Sequence, residues 1–451
     1  MAKAQTSLTV IIPAHNAADD LAQCLQCLFQ SETPPYECLV VDDGSTDETA
    51  EVAEKLGARV LRTGGRRGPA HARNLGARAA RGDVLLFLDA DVCVHPDTLS
   101  RVASAFETDP ELDALIGSYD DSPSSPDFLS QYRNLMHHYV HQNARREACT
   151  FWSGCGAIRR EVFLAHAGFD ESYGRPAIED IELGYRLRMA GRKMVLDKHV
   201  QVKHLKRWTF WKLIKTDIFD RGIPWTELIL RQHYMPNDLN LELSQRVSVA
   251  LAFLLMGLST AASLYWGWYF VAPFMGVLFL LLGACWLEPF RRHPSKGIVV
   301  AMLAILGFIT WQAFAVEMAG ILPPLYLAVI LLFLRHRYAF SNERARKITG
   351  VLVGLYILGA IAFMVQRLPA HKLIFAVSLV ASVIVILNSR FYLFLAARQG
   401  RLFALAAIPF HLLYHFYNGL SFLAGCFHYY WSRLWEKAPR PAAVAPADGK
   451  K

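Results

Sequence analysis

The sequence predicts an α/β domain followed by an all-α region that crosses a membrane several times. Three observations predict it. Short apolar runs alternate with helical patterns in the first part of the chain, acidic residues fall directly at the ends of those runs, and long uncharged stretches dominate after residue 245. At 451 residues the chain has room for a domain plus a membrane region, and its 53% hydrophobic and 19% charged residues are more apolar than an ordinary soluble enzyme.

The elements follow in order. Residues 8–13 are a continuous apolar run of strand length, followed by the polar turn Ala14-His15-Asn16 and a helical stretch over 17–30. Within that stretch Cys24 and Cys27 are spaced like a metal or redox pair. They share a helical pattern with Leu21, Leu25 and Leu28 and have no second pair, so core packing accounts for them. Residues 38–41 form a second strand ending in Asp42-Asp43-Gly44-Ser45-Thr46-Asp47, where Ser45 or Thr46 is placed to cap a helix beginning near Asp47. Residues 58–61 make a third strand, 69–80 a helix and 84–88 a fourth strand. Apolar strands alternating with helices indicate a parallel sheet covered on both faces, which binds ligands at the carboxyl ends of its strands. Asn16, Asp42, Asp43, Asp89 and Asp91 all fall at that edge.

The chemistry narrows from there. FLDADV (87–92) carries two carboxylates onto the end of the fourth strand, and a carboxylate there needs a partner. No GxGxxG follows the first strand and no GxxxxGK[ST] occurs, which excludes the common dinucleotide and P-loop sites. Acidic residues around a phosphate-binding crevice call for a bridging divalent cation, so Mg²⁺ or Mn²⁺ on Asp91, helped by Asp89, fits best.

VIIPAHN (10–16), VVDDGSTD (40–47), GPAHARNLGARAARGDVLLFLDADV (68–92) and GFDESYGRPAIEDIELGYRLRMAG (168–191) together resemble glycosyltransferase family 2, of the GT-A fold. The resemblance implies that Pro13, Asp42 and Asp43 hold the nucleotide base, usually uracil, with His15 and Asn16 in the same donor site. It places Arg73 and Asn74 in a nucleotide-contacting helix, and has Asp89 and Asp91 hold ribose, metal and diphosphate. Asp180 takes the general-base position, with Glu179 beside it. The residues themselves agree: this pair opens a helical stretch over 181–187, where the helix dipole favours carboxylates, and next to a sugar nucleotide one of them can accept a proton. Small residues flanked by aromatics in FWSGCGA (151–157) either make a tight turn or let backbone approach a sugar, with Trp152 on the acceptor side.

Residues 204–208 read HLKRW, where processive members such as cellulose and hyaluronan synthases carry QxxRW. The match is partial. It implies Arg207 on the diphosphate, Trp208 stacked on an acceptor sugar and neutral His204 completing the metal shell; otherwise His204 and Trp208 seat the next helix.

The second half reads as membrane. Phe210, Trp211, Ile214, Ile218 and Phe219 alternate with Lys212, Lys215 and Asp217, and Trp225 follows: an interfacial amphipathic helix, or one docked on the first domain. Candidate spans cover 247–265, 268–288, 298–318, 321–335, 348–366 and 373–388; a last stretch, 402–430, is one long helix or a hairpin. Loops carrying Arg291, Arg292, Lys296, Arg335, Arg337, Arg344, Arg346, Lys347, Arg390, Arg398 and Arg401 alternate with loops holding only Arg367 and Lys372, which puts the first set in the cytoplasm. The run at 8–12 is too short for a signal peptide, and eight cysteines without paired spacing fit a reducing compartment, so the first domain is expected there too. The net charge of +8 points to anionic lipid rather than nucleic acid.

The division expected is a GT-A catalytic domain over 1–207, an interfacial segment over 208–245, a transmembrane region over 246–432 and a disordered tail over 433–451. The function expected is that of a multi-pass protein of the cell (inner) membrane, an inverting glycosyltransferase. It moves a sugar from a nucleotide-sugar donor, a UDP-sugar, to a hydroxyl of a lipid-linked or glycan acceptor at the cytoplasmic face. Alternatives are transfer to a polyprenyl phosphate, processive polysaccharide synthesis, and a transporter or scaffold with a degenerate transferase domain. The intact Asp89, Asp91 and Asp180 speak against the last.

Overall fold

Near-continuous burial marks the first strands, as their apolar sequences require: β1 (Leu8–Ala14), β2 (Glu37–Asp42) and, after the short β3 (Arg59–Arg62), β4 (Val84–Leu88). The computed structural model describes residues 6–266, 327 and 372–435. Between the strands lie α1 (Ala18–Phe29), α2 (Thr49–Lys55) and α3 (Pro69–Ala79). Leu21, Cys24, Leu25 and Leu28 form the buried face of α1, so Cys24 is core. Helix α2 starts two residues later than expected. The Asp47 carboxylate accepts from the backbone N–H of Thr49 at 3.1 Å, and Ser45 instead binds the amide of Asn16 at 3.0 Å.

The remaining elements are β5 (Val92–Val94), α4 (Thr98–Thr108), β6 (Ala114–Tyr119), α5 (Phe128–Asn143), β7 (Cys155–Arg159), α6 (Arg160–Ala165), α7 (Glu179–Met189) and β8 (Met194–His204). The sheet order is β3-β2-β1-β4-β7-β6-β8-β5. Only the β3-β2-β1-β4 half is all parallel, as expected; β7 runs antiparallel to both β4 and β6, and β5 antiparallel to β8. The sheet is therefore mixed. The helix-strand alternation that signals a parallel sheet stops at β4: no helix separates β4 from β5, and β7 enters the sheet from the edge at which β4 ends.

One latch organises the edge where β2 ends. The Asp43 carboxylate accepts from the amides of Arg67 and Gly68, each at 2.8 Å, and from Thr63 Oγ1 at 3.0 Å. It thereby fixes the loop that starts α3, where Gly68 has φ 93°, a value that favours glycine. Asp43→Ala strands these buried amides and is expected to destabilise the domain by about 2–4 kcal/mol. A urea midpoint no lower than that of the native chain would show that the latch contributes nothing.

After β8 come α8 (Phe210–Lys215), a π-helical turn (Thr216–Gly222) and α9 (Ile223–Gln232), so the amphipathic stretch belongs to one continuous helical run with a π-helical turn inside it. Trp211 and Phe219 are 77% and 52% exposed, while Leu213 is buried. Helix α9 also docks on the first domain, where Trp225 Nε1 donates to Tyr185 Oη at 3.2 Å. Beyond it lie α10 (Leu243–Trp266), α11 (Lys372–Leu387), α12 (Ser389–Gln399) and α13 (Arg401–Trp435). The stretch expected as one helix or a hairpin is thus a single helix, with Pro409 inside it, and it continues to Trp435 where the tail was expected to begin.

Among the described residues, Leu243–Thr260 is long and apolar enough to cross a membrane, and Ala376–Leu387 with Ser389–Gln399 qualifies only as a pair bent by 65°. The stretches 268–288, 298–318, 321–335 (Leu327 apart) and 348–366 and the tail after 435 lie outside the described residues. The chain divides into two units, Met1–Val249 with Leu413–Lys451, and Ala250–Leu412. Within the first unit Asp217, on the π-helical turn, pairs with Arg133 of α5 at 2.5 Å and accepts from Tyr417 Oη of α13 at 2.7 Å.

Candidate active site

Strand register brings the site together. Leu88 lies opposite Cys155 in the antiparallel β4–β7 pair, so Asp89 leaving β4 and Ser153 approaching β7 meet at one edge. Val92 lies opposite His204 in the β5–β8 pair, which sets His204 beside Asp91. Asp91 Oδ2 is 3.6 Å from His204 Nε2 and 3.6 Å from Lys206 Nζ. Burial opposes its ionised form, but the neighbouring His204 and the charge of Lys206 outweigh that and hold Asp91 well below the usual carboxylate range.

Arg73 of α3 joins the two acidic clusters. Its Nη2 donates to Asp89 Oδ1 and its Nη1 to Glu179 Oε1, each at 2.8 Å, from a position only 5% exposed. Burial pushes the Glu179 carboxyl up, Arg73 pulls it back, Asp180 raises it again, and the net shift is upward. Glu179 is enclosed, whereas Asp89, Asp91 and Asp180 are partly open. Asp180 sits in the first turn of α7 and accepts from Ser153 through both the amide, 3.0 Å, and Oγ, 3.1 Å. One carboxylate is thus tied to a buried arginine and its neighbour is held at the surface of the crevice. That division suits a base that must reach a substrate.

Other expected residues take different places. His15 Nδ1 lies 3.0 Å from the carbonyl of Asp43, Asn16 accepts from the amide of Thr46 at 2.7 Å, and Asp42 accepts from the amide of Ser45 at 3.0 Å. Pro13, near the end of β1, is partly exposed at the same edge. Asn74 is buried and spends its amide on the backbone of Phe169 and on Glu171, which locks the turn preceding α7. Arg207 is brought to Asp127, at 3.7 Å with 79% of its side chain exposed; the cation at Asp91 is Lys206. Trp208 is 6% exposed and packed with Leu213 and Tyr417, so in this structure its ring seats the following helix. Trp152 is partly exposed beside Tyr119 and His137, with Gly154 beneath its indole. A Cβ at Gly154 would come within 2.7 Å of that ring. Ser153, Lys206 and Asn134 were not singled out by the sequence. Lys206 lies inside the HxxRW stretch and Ser153 inside FWSGCGA (151–157), whereas nothing local marks Asn134.

Among the described residues no three His, Cys, Asp or Glu side chains gather closely enough to hold an ion alone. A hard cation held by one or two carboxylates and completed by diphosphate oxygens needs no such cage, and the two partly open aspartates Asp89 and Asp91 match that mode. His204 has its Nδ1 2.7 Å from Asn134 Oδ1 and turns Nε2 toward Asp91, the orientation of an imidazole ligand with a supporting partner. The residues fit the ion.

Residues 9–166 match the model described as glycosyl transferase family 2. That stretch of the chain is similar to the glycosyltransferase family 2 domain. The mixed α/β sheet and this match agree on the GT-A fold. A validoxylamine A glucosyltransferase of Streptomyces hygroscopicus is 28% identical over 236 residues, 42% of this chain and 50% of that protein. A 4,4'-diaponeurosporenoate glycosyltransferase of Staphylococcus haemolyticus is 35% identical over 136 residues, 29% of this chain and 31% of that one. The alignments thus span half or less of these curated relatives. The mannosyltransferase PcManGT of Pyrobaculum calidifontis, solved with GDP-Man and Mn²⁺, superposes with a TM-score of 0.48 at 21% identity, covering 66% of this chain and 86% of that one. The family match ends before α7, so it does not include Glu179 and Asp180.

Proposed function

We propose that the protein is a membrane-anchored inverting glycosyltransferase that moves a sugar from a nucleotide-sugar donor, a UDP-sugar, to a hydroxyl of a lipid-linked or glycan acceptor. The observation that carries this is the pairing, at one sheet edge, of Asp89 and Asp91 with an open carboxylate, Asp180, held by Ser153. Asp89 and Asp91, with His204, would hold a divalent cation. When bound, that ion supplies positive charge at the leaving diphosphate. Arg73 keeps Asp89 and Glu179 in register across the crevice, and Lys206 adds a fixed positive charge beside Asp91. Asp180 takes the proton of the acceptor hydroxyl as its oxygen attacks the anomeric carbon from the face opposite the leaving group, which inverts the configuration there. Incubating membranes with radiolabelled UDP-sugars tests the function: a labelled lipid or glycan is expected, and none from any donor would refute it.

For location we propose a multi-pass protein of the cell membrane with the catalytic domain in the cytoplasm. The support is the apolar helix Leu243–Thr260, the exposed Trp211 and Phe219, and the alternation of basic loops in the sequence. Single cysteines placed at His293 or Ser341 are expected to resist an impermeant maleimide added outside the cell. Efficient labelling at either site would reverse the topology.

A further inference from the structure

Helix α5 carries three histidines, and two are accounted for by folding. His138 Nδ1 lies 2.7 Å from the carbonyl of Tyr119, and His141 Nδ1 lies 3.0 Å from the carbonyl of Gly117, so both tie α5 to β6. His137 makes no such bond, and its Nδ1 is buried without a partner. A polar atom in that position is costly unless something else completes it. Its ring lies against an aromatic wall: 4.5 Å from Tyr119, 4.9 Å from Trp152 and 4.1 Å from His141, centroid to centroid. Burial, then the neighbouring charges of His141, Arg221, Arg133 and His204, hold His137 well below the ordinary histidine range, so it is a neutral imidazole with one donor and one acceptor.

The wall runs between the two halves of the chemistry. At one end Tyr119 stacks on His204, 4.2 Å away and 10° from parallel, and His204 faces Asp91. At the other end Trp152 precedes Ser153, which holds Asp180. Trp152 and His137 are both partly exposed between these ends. Flat aromatic faces next to an uncommitted neutral hydrogen-bonding group are the chemistry that receives a sugar, whose C–H face is apolar and whose hydroxyls both donate and accept.

We propose that Trp152 and His137 form a saccharide subsite, in which a pyranose ring packs on their faces and the His137 imidazole hydrogen-bonds one of its hydroxyls. This deepens the glycosyltransferase reading and rests on it. The ring belongs either to the donor or to the acceptor, and the two are separable by experiment.

The full-length protein in detergent is titrated with UDP, UDP-GlcNAc, GDP and GDP-mannose, and its transfer of label to a total membrane lipid extract is followed against the amount of extract. The same is done for His137→Phe, which keeps a flat ring but loses both nitrogens, and for His137→Gln, which restores a donor and an acceptor. Unchanged nucleoside diphosphate affinity shows that each variant is folded. A roughly tenfold loss of nucleotide-sugar affinity in His137→Phe, partly recovered in His137→Gln, places the donor sugar on the subsite. The same change confined to the half-saturating amount of extract places the acceptor sugar there. If both variants match the native protein in nucleotide-sugar affinity and in extract dependence, the subsite is wrong although the enzyme assignment stands. If the native protein binds none of the nucleotides and transfers no label, the function itself fails and the subsite with it.

Discussion

Asp180→Asn is expected to lower turnover about 10²–10⁴-fold, the usual worth of a general base, with nucleotide affinity nearly intact. The substitution is geometrically mild. An asparagine oxygen can still accept from the amide and hydroxyl of Ser153, at the loss of the contact that Asp180 Oδ1 makes with the Ile181 amide, and the Arg73–Glu179 pair is not touched. What is lost is basicity, and it is lost where the acceptor proton must go. An acceptor hydroxyl has a high pKa and sheds its proton as the new bond forms, so the loss falls on the transition state rather than on donor binding. Turnover and UDP affinity measured on the same variant decide the matter. Turnover within about threefold of the native enzyme would remove Asp180 from the base role, far short of the loss a base should show. It would also favour an acceptor that is already ionised, such as a polyprenyl phosphate.

Asp91→Asn is expected to abolish the metal-dependent part of nucleotide affinity. The carboxylate lies 3.6 Å from both His204 and Lys206 and is strongly biased toward its ionised form. A neutral amide is a poor ligand for a hard cation, and in its place the charge of Lys206 would repel one. Calorimetry with UDP, with Mn²⁺ and then with a chelator, reads the effect: Mn²⁺ should strengthen binding to the native protein and leave the variant unmoved. Equal metal enhancement in both proteins would take Asp91 out of the metal site.

Much of the nucleotide half of the domain was legible because strands buried on both faces are written as unbroken apolar runs. Leu8–Ala14 and Val84–Leu88 are such strands, and Asp89 stands out against the second. Helix α5 was not legible for the opposite reason. Its buried side includes Arg133, Asn134, His138 and His141, so the apolar period that announces a helix is blurred by groups whose partners lie elsewhere. Ser153 and Asp180 are 27 residues apart, and only the folded hydrogen bonds between them show that they meet. In the HxxRW stretch nothing in the sequence separates the roles of Lys206 and Arg207. His204 and Lys206 are two residues apart and both face Asp91, while Arg207 turns to Asp127.

The bond from Tyr417 to Asp217 joins positions 200 residues apart, and it has a bearing on biogenesis. The ribosome delivers Arg133 and Asp217 early, and their ion pair is available to a nascent chain. The hydroxyl that completes it arrives only after every intervening segment has been made. Long-range closures of this kind come late because the chain between them must first be constrained. Until α13 is made, therefore, Asp217 carries one partner instead of two, and α8 and the π-helical turn lack the packing of Tyr417 against Trp208 and Leu213. Asn134, next to Arg133 on α5, touches His204. The unit that carries the candidate site thus gains these contacts only once α13 has been made.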